Sequence, residues 1–388
     1  MTIKKLFQYF LVLGAIVGIC FSFTGCIPSH QLNETAIVQA IGLDLEEGTG
    51  NYKITLQIYS PKGAGASTAI DTSKNNSSVI TTSGKTISSA MRDATVHQGK
   101  SIFSGHNRII VIGRSLAEKG IEEIFSYFNR DPLTRLNVPV MMADQTAEEI
   151  VTTNIDQGIL AAETIRDILD NSQENGYVYT CPYYLLAKNM SLYEGCGAIP
   201  VVSFSDQKQE DDNSIPLVTN LQIRNTAVFK NYQWVGDLDE SQTRGLVLLS
   251  DQMEKTVLLP EGHNSVGIYQ CNASLKPEIT EDQTVQFHLK VRAKAALEER
   301  GEEEEIPLTQ LQNQSAQLLE QEVQQAFGVI VNQYGADILY LKDLMIQEDV
   351  QFWEQQEDAF ASQFSDIKLT TDIQVSIDRV GLETETAR

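Results

Sequence analysis

Residues 108–128, RIIVIGRSLAEKGIEEIFSYF, change their hydrophobic period halfway along, and that change sets the fold class. After Arg108, Ile109 to Ile112 is a short, unbroken run of branched apolar residues, and Arg108 to Ile112 has the pattern of a strand buried on both faces. From Ser115 to Phe128 the small and apolar residues return every three or four positions: Leu116, Gly120, Ile121, Ile124, Phe125 and Phe128. Glu118, Glu122 and Glu123 fall on the other side, which predicts one amphipathic helix over 115–128. Val138 to Met142 reads as the next strand. Thr146-x-x-Glu149 then has capping-box spacing and opens a further helix, and Gly158 to Leu169 is helical again. Strand and helix alternate, so this half is α/β or α+β around a mixed sheet.

Upstream of that unit, Thr35 to Asp44 is apolar and β-prone. Tyr52 to Tyr59 alternates, with Tyr52, Ile54, Leu56 and Ile58 on one side and Lys53, Thr55 and Gln57 on the other. The turn-forming residues Glu46 to Asn51 between them predict a β-hairpin. Ser60 to Thr86, rich in Ser, Thr, Asn, Gly and Pro, reads as a long polar, mobile excursion, and Ile87 to Val96 as a helix.

Downstream, Ser205 to Ser214 is polar, charged and without period, and reads as a linker. Thr226 to Phe229 and Gln233 to Val235 predict a second hairpin, followed by a helix over Ser241 to Leu249. Val285 to Val291 alternates strictly, which marks a sheet with one wet face. A long helix is expected over Leu308 to Tyr334, with a stripe of Leu308, Leu311, Leu318, Val323, Phe327, Ile330 and Tyr334, filled in by Ala316 and Ala326. A second helix over Val350 to Phe364 and a last strand through Ile373, Val375 and Ile377 close the chain. The fold class expected is α+β or mixed α/β, in three domains with helices packed on mixed sheets. The divisions are 1–25 (a leader), 26–34 (a tether), 35–145 (an N-terminal α/β domain), 146–204 (a small middle domain), 205–217 (a linker) and 218–388 (a C-terminal α/β domain).

The leader decides location. Lys4 and Lys5 precede an apolar run from Leu6 to Phe23, the pattern of a secretory signal peptide. Phe23-Thr24-Gly25-Cys26 resembles the bacterial lipobox, which implies cleavage before Cys26 and a diacylglycerol on its sulfur. Phe23 departs from the Leu, Val or Ile usual at that position. An uncleaved membrane anchor and plain secretion are the alternatives. Two acyl chains hold a protein on a bilayer where one binds only marginally. The chain carries 52 acidic against 29 basic residues, a net charge of −23. Such a surface repels nucleic acid phosphates and anionic headgroups alike, so no nucleic acid partner is expected and the lipid does the anchoring.

A search for chemistry finds no catalytic constellation. Ala94 to Ser101 (ATVHQGKS) is one residue from a P-loop, but Ala94 replaces the opening glycine and strand-like residues follow where a helix should start. Gly63-Ala64-Gly65 has Thr68 where a dinucleotide fingerprint needs its third glycine. The histidines at 30, 97, 106, 263 and 288 share no ligand spacing, and the acidic run Glu302 to Glu305 reads as a solvated face. Cys181 and Cys196 would close a short loop if bridged; with Cys271 they otherwise stay as thiols. Neither enzyme activity, a metal nor a cofactor is expected.

Several stretches together resemble the C subunit of spore germinant receptors, the Ger(x)C lipoprotein family. They are Cys26, then Leu32 to Val38 and Ile41-Gly42-Leu43-Asp44; Ser104-Gly105-His106 leading into Arg108 to Ile112; and Asn129-Arg130-Asp131 with Arg135. In the second half they are Ala227 to Lys230, Trp234 to Leu238, Glu240-x-x-x-Arg244-Gly245, Asp337-Ile338 and Val375-x-Ile377. The family often has Trp after the lipidated cysteine, where Ile27 stands here. The resemblance implies a three-domain α/β protein, lipidated at Cys26, on the outer leaflet of the spore inner membrane. It implies two integral-membrane partners, the A and B subunits, in a receptor for small nutrients, with no enzyme activity and with direct germinant binding left open. Excursion 60–86 and the Trp234 hairpin are the surfaces best placed to meet those partners, against the plainer readings of a loop and a core tryptophan. The alternative from another class is a solute-binding lipoprotein of an uptake system. Such proteins show two similar βαβ lobes, whereas the two halves here differ in pattern.

Overall fold

The apolar run of residues 109–112 is buried along its whole length, and it becomes strand β5 (Ile109–Ile112) in the middle of a mixed sheet. The computed structural model describes residues 35–59, 77–153, 161–172, 175–205, 221–261, 263–280, 284–301 and 306–380, together with Phe10, Leu13 and Gly14. Residues 1–35 and 36–388 divide as two units, and the fold below is that of the second.

The first sheet is built from β1 (Thr35–Leu45), β2 (Tyr52–Tyr59), β3 (Ser77–Gly84), β4 (Ser101–Phe103), β5, β6 (Val140–Ala143), β7 (Gly197–Phe204), β8 (Leu221–Lys230) and β9 (Gln233–Leu238). Its order is β3-β2-β1-β5-β6-β7-β8-β9, with β4 beside β1. The central four run parallel, Gly42 opposite Val111, Val111 opposite Met141 and Met142 opposite Val201. Antiparallel hairpins flank them on both sides. A parallel core needs both faces covered, and the side chains divide accordingly. Ile41, Leu43, Ile110, Ile112 and Met142 pack under helices α1 (Ile87–Gln98), α2 (Arg114–Lys119) and α3 (Glu122–Phe128). Ala40, Ile109, Val111 and Met141 pack on the other face under α4 (Ala147–Thr152) and α5 (Ala161–Asp170). Helix α6 (Tyr183–Leu192) follows, its Tyr183 ring stacked on Phe125.

Helix α7 (Glu240–Leu249) leads to a second sheet of β10 (Thr256–Leu258), β11 (Ser265–Ile279), β12 (Val285–Glu299) and β13 (Lys368–Arg379), in that order. Strand β12 buries Phe287, Leu289, Val291, Ala293 and Ala295, alternating as the sequence predicts. Helix α8 (Leu308–Phe327) packs between this sheet and α7. It runs into a π-turn over 328–333, and α9 (Leu341–Glu348) and α10 (Val350–Gln363) precede the last strand. Each large apolar side chain buried along α8 contributes about 1.5–3 kcal/mol.

Both expected hairpins form, and the expected mixed α+β class holds. The differences have identifiable causes. The helix expected over 115–128 is two helices, because Gly120 takes φ 130° and the Ile121 amide donates to the Tyr232 carbonyl at 2.9 Å. Part of the polar excursion 60–86 is strand β3, whose backbone pairs with β2 and whose edge position needs no apolar outer face; residues 60–76 lie outside the described residues. Thr55 and Gln57, on the polar side of the β2 alternation, are buried, and Gln57 Nε2 donates to the Val151 carbonyl at 3.0 Å under α4. The stripe of α8 passes through Leu311, Ser315, Leu319, Glu322, Val323, Ala326 and Phe327, so Leu319 and not Leu318 faces inward. Most of the expected linker 205–217 lies outside the described residues, and β7 and β8, which precede and follow it, pair with each other.

Candidate functional site

Cys26, the one site residue the sequence assigns, lies outside the described residues, as do its lipobox and the acidic run 302–305. Leu32 to Glu34 of the family motifs lie outside the described residues as well; several of the described motif residues join elements of the fold, while Arg135 is exposed.

Asp44 is the last residue but one of β1 and is 3% exposed. Its two carboxylate oxygens accept from the amides of Ala147 at 2.8 Å and Glu148 at 2.9 Å, the otherwise orphaned donors at the start of α4. Burial raises its pKa while those two bonds lower it. Gly113 makes room for this cap: a Cβ there would stand 1.9 Å from Asp44 Oδ1. Gly42 is fixed in the same way, since its Cβ would press on Val151 and Ala147 at 3.2 and 3.3 Å. Thr146 caps as the spacing predicts, accepting from the Glu149 amide at 3.3 Å. Asn129 accepts from the Tyr183 hydroxyl at 2.7 Å, which ties the end of α3 to α6.

The Trp234 hairpin turns through Asn231 and Tyr232, both at positive φ. Trp234 Nε1 donates to Asp237 Oδ1 at 2.7 Å, and the Arg114 guanidinium lies 4.7 Å from the centre of the indole. Arg114 also bridges Asp144 at 2.7 Å and Asp237 at 3.1 Å. The π-turn aims Tyr334 at the same place, where its hydroxyl donates to the Asp237 carbonyl at 3.2 Å. Gly236 admits that ring; a Cβ would be 2.2 Å from its oxygen. One turn along, Arg244 of α7 pairs with Glu322 of α8, and Gly245 lets the two helices touch, since a Cβ would stand 2.4 Å from the Glu322 carbonyl oxygen. The tryptophan is therefore half-buried in a joint, with Gln233 and Val235 on either side of it exposed.

A cleft of about 270 Å³ opens next to this joint, lined among others by Tyr193, Cys196, Lys230, Asp337, Lys342 and Trp353. Asp337 accepts from the amides of Leu341 at 2.7 Å and Lys342 at 3.2 Å and so begins α9. Burial pushes its carboxyl up to about 6. Lys342 reaches Glu357 at 3.2 Å and lies 5.3 Å from the Trp353 ring centre. Burial pushes the Cys196 thiol that lines the cleft up to about 11, and Cys181, which does not line it, up to about 12, both well above neutrality. Cys181, Cys196 and Cys271 are free thiols, so the possible bridge between the first two is not formed. The near-P-loop places its helix before Gly99 and a strand after it, the reverse of a phosphate cradle. Among the described residues no three His, Cys, Asp or Glu side chains gather as metal ligands, and no helix is long and apolar enough to cross a membrane.

Sequence reasoning missed α6, β7, β10, β11 and α9, besides reading β3 as part of a loop. Asp337, four residues before Leu341, was a readable signal for the start of α9. Nothing in the sequence tells that Tyr340 takes φ 58° and accepts from Asn189 Nδ2 across to α6.

Two mixed sheets locked by charged and aromatic joints define a scaffold whose marked residues position elements against one another. This chain belongs to the GerAC family of spore germination proteins. The family description "Spore germination protein N-terminal domain" matches residues 28–204, and "Spore germination B3/GerAC like, C-terminal" matches residues 224–381. The two matches meet across the stretch expected as a linker, although β8 and β9, which follow it, complete the first sheet. The chain is 21% identical to spore germination protein B3 of Bacillus subtilis (strain 168), over 97% of this chain and 99% of that one. It is 27% identical to YfkR of the same organism over 66% of each chain. It is also 25% identical to spore germination protein KC, again from Bacillus subtilis, over 66% of this chain and 64% of that one. The crystal structure of the GerBC protein shares the fold, with a TM-score of 0.56 at 18% identity over 88% of this chain and 98% of that one. The role of the chain is in spore germination.

Proposed function

We propose that this chain is the lipid-anchored C subunit of a germinant receptor. It is held by a diacylated Cys26 on the outer leaflet of the spore inner membrane and works there with the integral-membrane A and B subunits. Its contribution is assembly of that complex or transmission of the nutrient signal through it, and not catalysis. The observation that carries the reading is an apolar leader ending in Phe23-Thr24-Gly25-Cys26, placed directly before a germination-family fold whose family motif residues serve as joints. A rigid scaffold tethered beside membrane partners suits a connecting part. Replacing Cys26 with Ala should release the protein from spore membranes and abolish germination with the cognate nutrient. Full germination with a soluble variant would refute the reading.

A further inference from the structure

The parallel strands of the first sheet begin at one common end. Ala40 pairs with Ile109 and Ile110 with Val140, so Ala40, Ile109 and Pro139 stand in one row across β1, β5 and the entry to β6. Thr35, where the tether enters, projects about 16 Å beyond that row at the rise of an extended strand. It does so at the end where the segments leading into β5 and β6 lie.

The segment leading into β6 carries exposed apolar side chains. Leu133 and Leu136 are 42% and 57% exposed. Tyr184 of α6, 51% exposed, joins them, its amide donating to the Leu136 carbonyl at 3.0 Å. Arg135 and, one turn beyond Tyr184, Lys188 are exposed beside them. The acid of this loop, Asp131, is half-buried, accepting from the Leu133 amide at 3.0 Å and from Ser104 Oγ at 3.5 Å. A chain of net charge −23 thus gathers leucines, a tyrosine and two long cations at the end where its tether enters.

We propose that this end of the sheet rests on the bilayer, with Leu133, Leu136 and Tyr184 in the headgroup layer and Arg135 and Lys188 on lipid phosphates. The inference rests on the lipid-anchor reading of Cys26. Chain length selects a bilayer as the occupant: the segment from Cys26 to Thr35 reaches at most about 30 Å. It enters two strands from β6, roughly 10 Å away. The acidic bulk of the molecule is repelled by an anionic leaflet and this patch is attracted, which turns a tethered body patch-first. Leucine and tyrosine beside long cations are the composition that interfacial contacts use.

The test uses the full-length acylated protein on vesicles of phosphatidylcholine with phosphatidylglycerol, carrying an environment-sensitive fluorophore at Leu136→Cys. A second preparation carries it at Leu259→Cys, a position 74% exposed just after β10. The label at 136 should shift to the blue and be quenched by nitroxide-bearing lipid, both effects shrinking with Arg135→Glu or on pure phosphatidylcholine, while the label at 259 stays in water. Protein that floats with the vesicles while position 136 is quenched no more than 259 overturns the docking and leaves the anchor standing. Shielding that needs added membrane proteins overturns it equally. Protein that does not float overturns the anchor reading, and this inference falls with it. Hydrogen exchange on the unlabelled protein gives a second reading: amides 133–137 should be protected on vesicles relative to detergent, and unchanged exchange there refutes the contact.

Discussion

The Arg244–Glu322 pair gives the sharpest test of the claim that the motif residues hold the fold. Their side chains are 12% and 10% exposed, so neither charge is well hydrated. Arg244 Nε donates to Glu322 Oε2 at 2.6 Å, Nη1 donates to the Tyr177 hydroxyl at 2.8 Å, and the guanidinium lies 5.0 Å from the Tyr177 ring centre. Replacing Glu322 with Ala leaves a buried guanidinium facing apolar α8 and removes the partner that repaid its desolvation. Loss of one member of such a pair costs about 3–5 kcal/mol. The residual exposure places this site near 3, roughly a hundredfold in the folded-to-unfolded ratio. Replacing both, with Arg244→Met and Glu322→Leu, removes the charges together and should fall close to wild type, because both desolvation penalties vanish with the attraction. Urea unfolding, followed by the fluorescence of Trp234 and Trp353, measures all four corners of the cycle. A single variant costing under about 1 kcal/mol, or a double variant as costly as the two singles combined, would show that the pair does not join α7 to α8 as described.

Other expectations follow from the same geometry. Gly113→Ala should cost about 1–3 kcal/mol by pushing Asp44 off the start of α4. Asp44→Ala should cost about 1–2 kcal/mol by removing that cap, and the two should be less than additive because they break one contact. Asp337 binds its proton more tightly folded than unfolded, so its contribution to stability falls as pH rises from 3.8 through about 6. Thermal unfolding of Asp337→Asn across that window should show a flatter pH dependence than wild type, and an unchanged slope would refute the assignment. Cys181 and Cys196, buried and pushed up to about 12 and 11, should resist alkylation at neutral pH in the native protein and react once it unfolds; rapid native labelling of these two would contradict their burial.

The sequence by itself determined what a chain can encode in its own period. The buried run at 109–112, the alternation of β2 and β12, the cap at Thr146 and the two hairpins are local patterns, and each forms. The leader and the lipidation at Cys26 are expectations that rest on local pattern in the same way. What only the tertiary structure decided depends on a partner far along the chain. Gly120 breaks a helix whose spacing is continuous, because the Tyr232 carbonyl takes the Ile121 amide. Ser77–Gly84 becomes a strand because β2 supplies its hydrogen bonds. Glu322 can sit in the buried stripe of α8 because Arg244 faces it, and Asp44 is buried because the open start of α4 needs an acceptor. Hydrophobic period reports which side of an element turns inward; which polar group waits there is set by packing, and only the folded chain brings the two together.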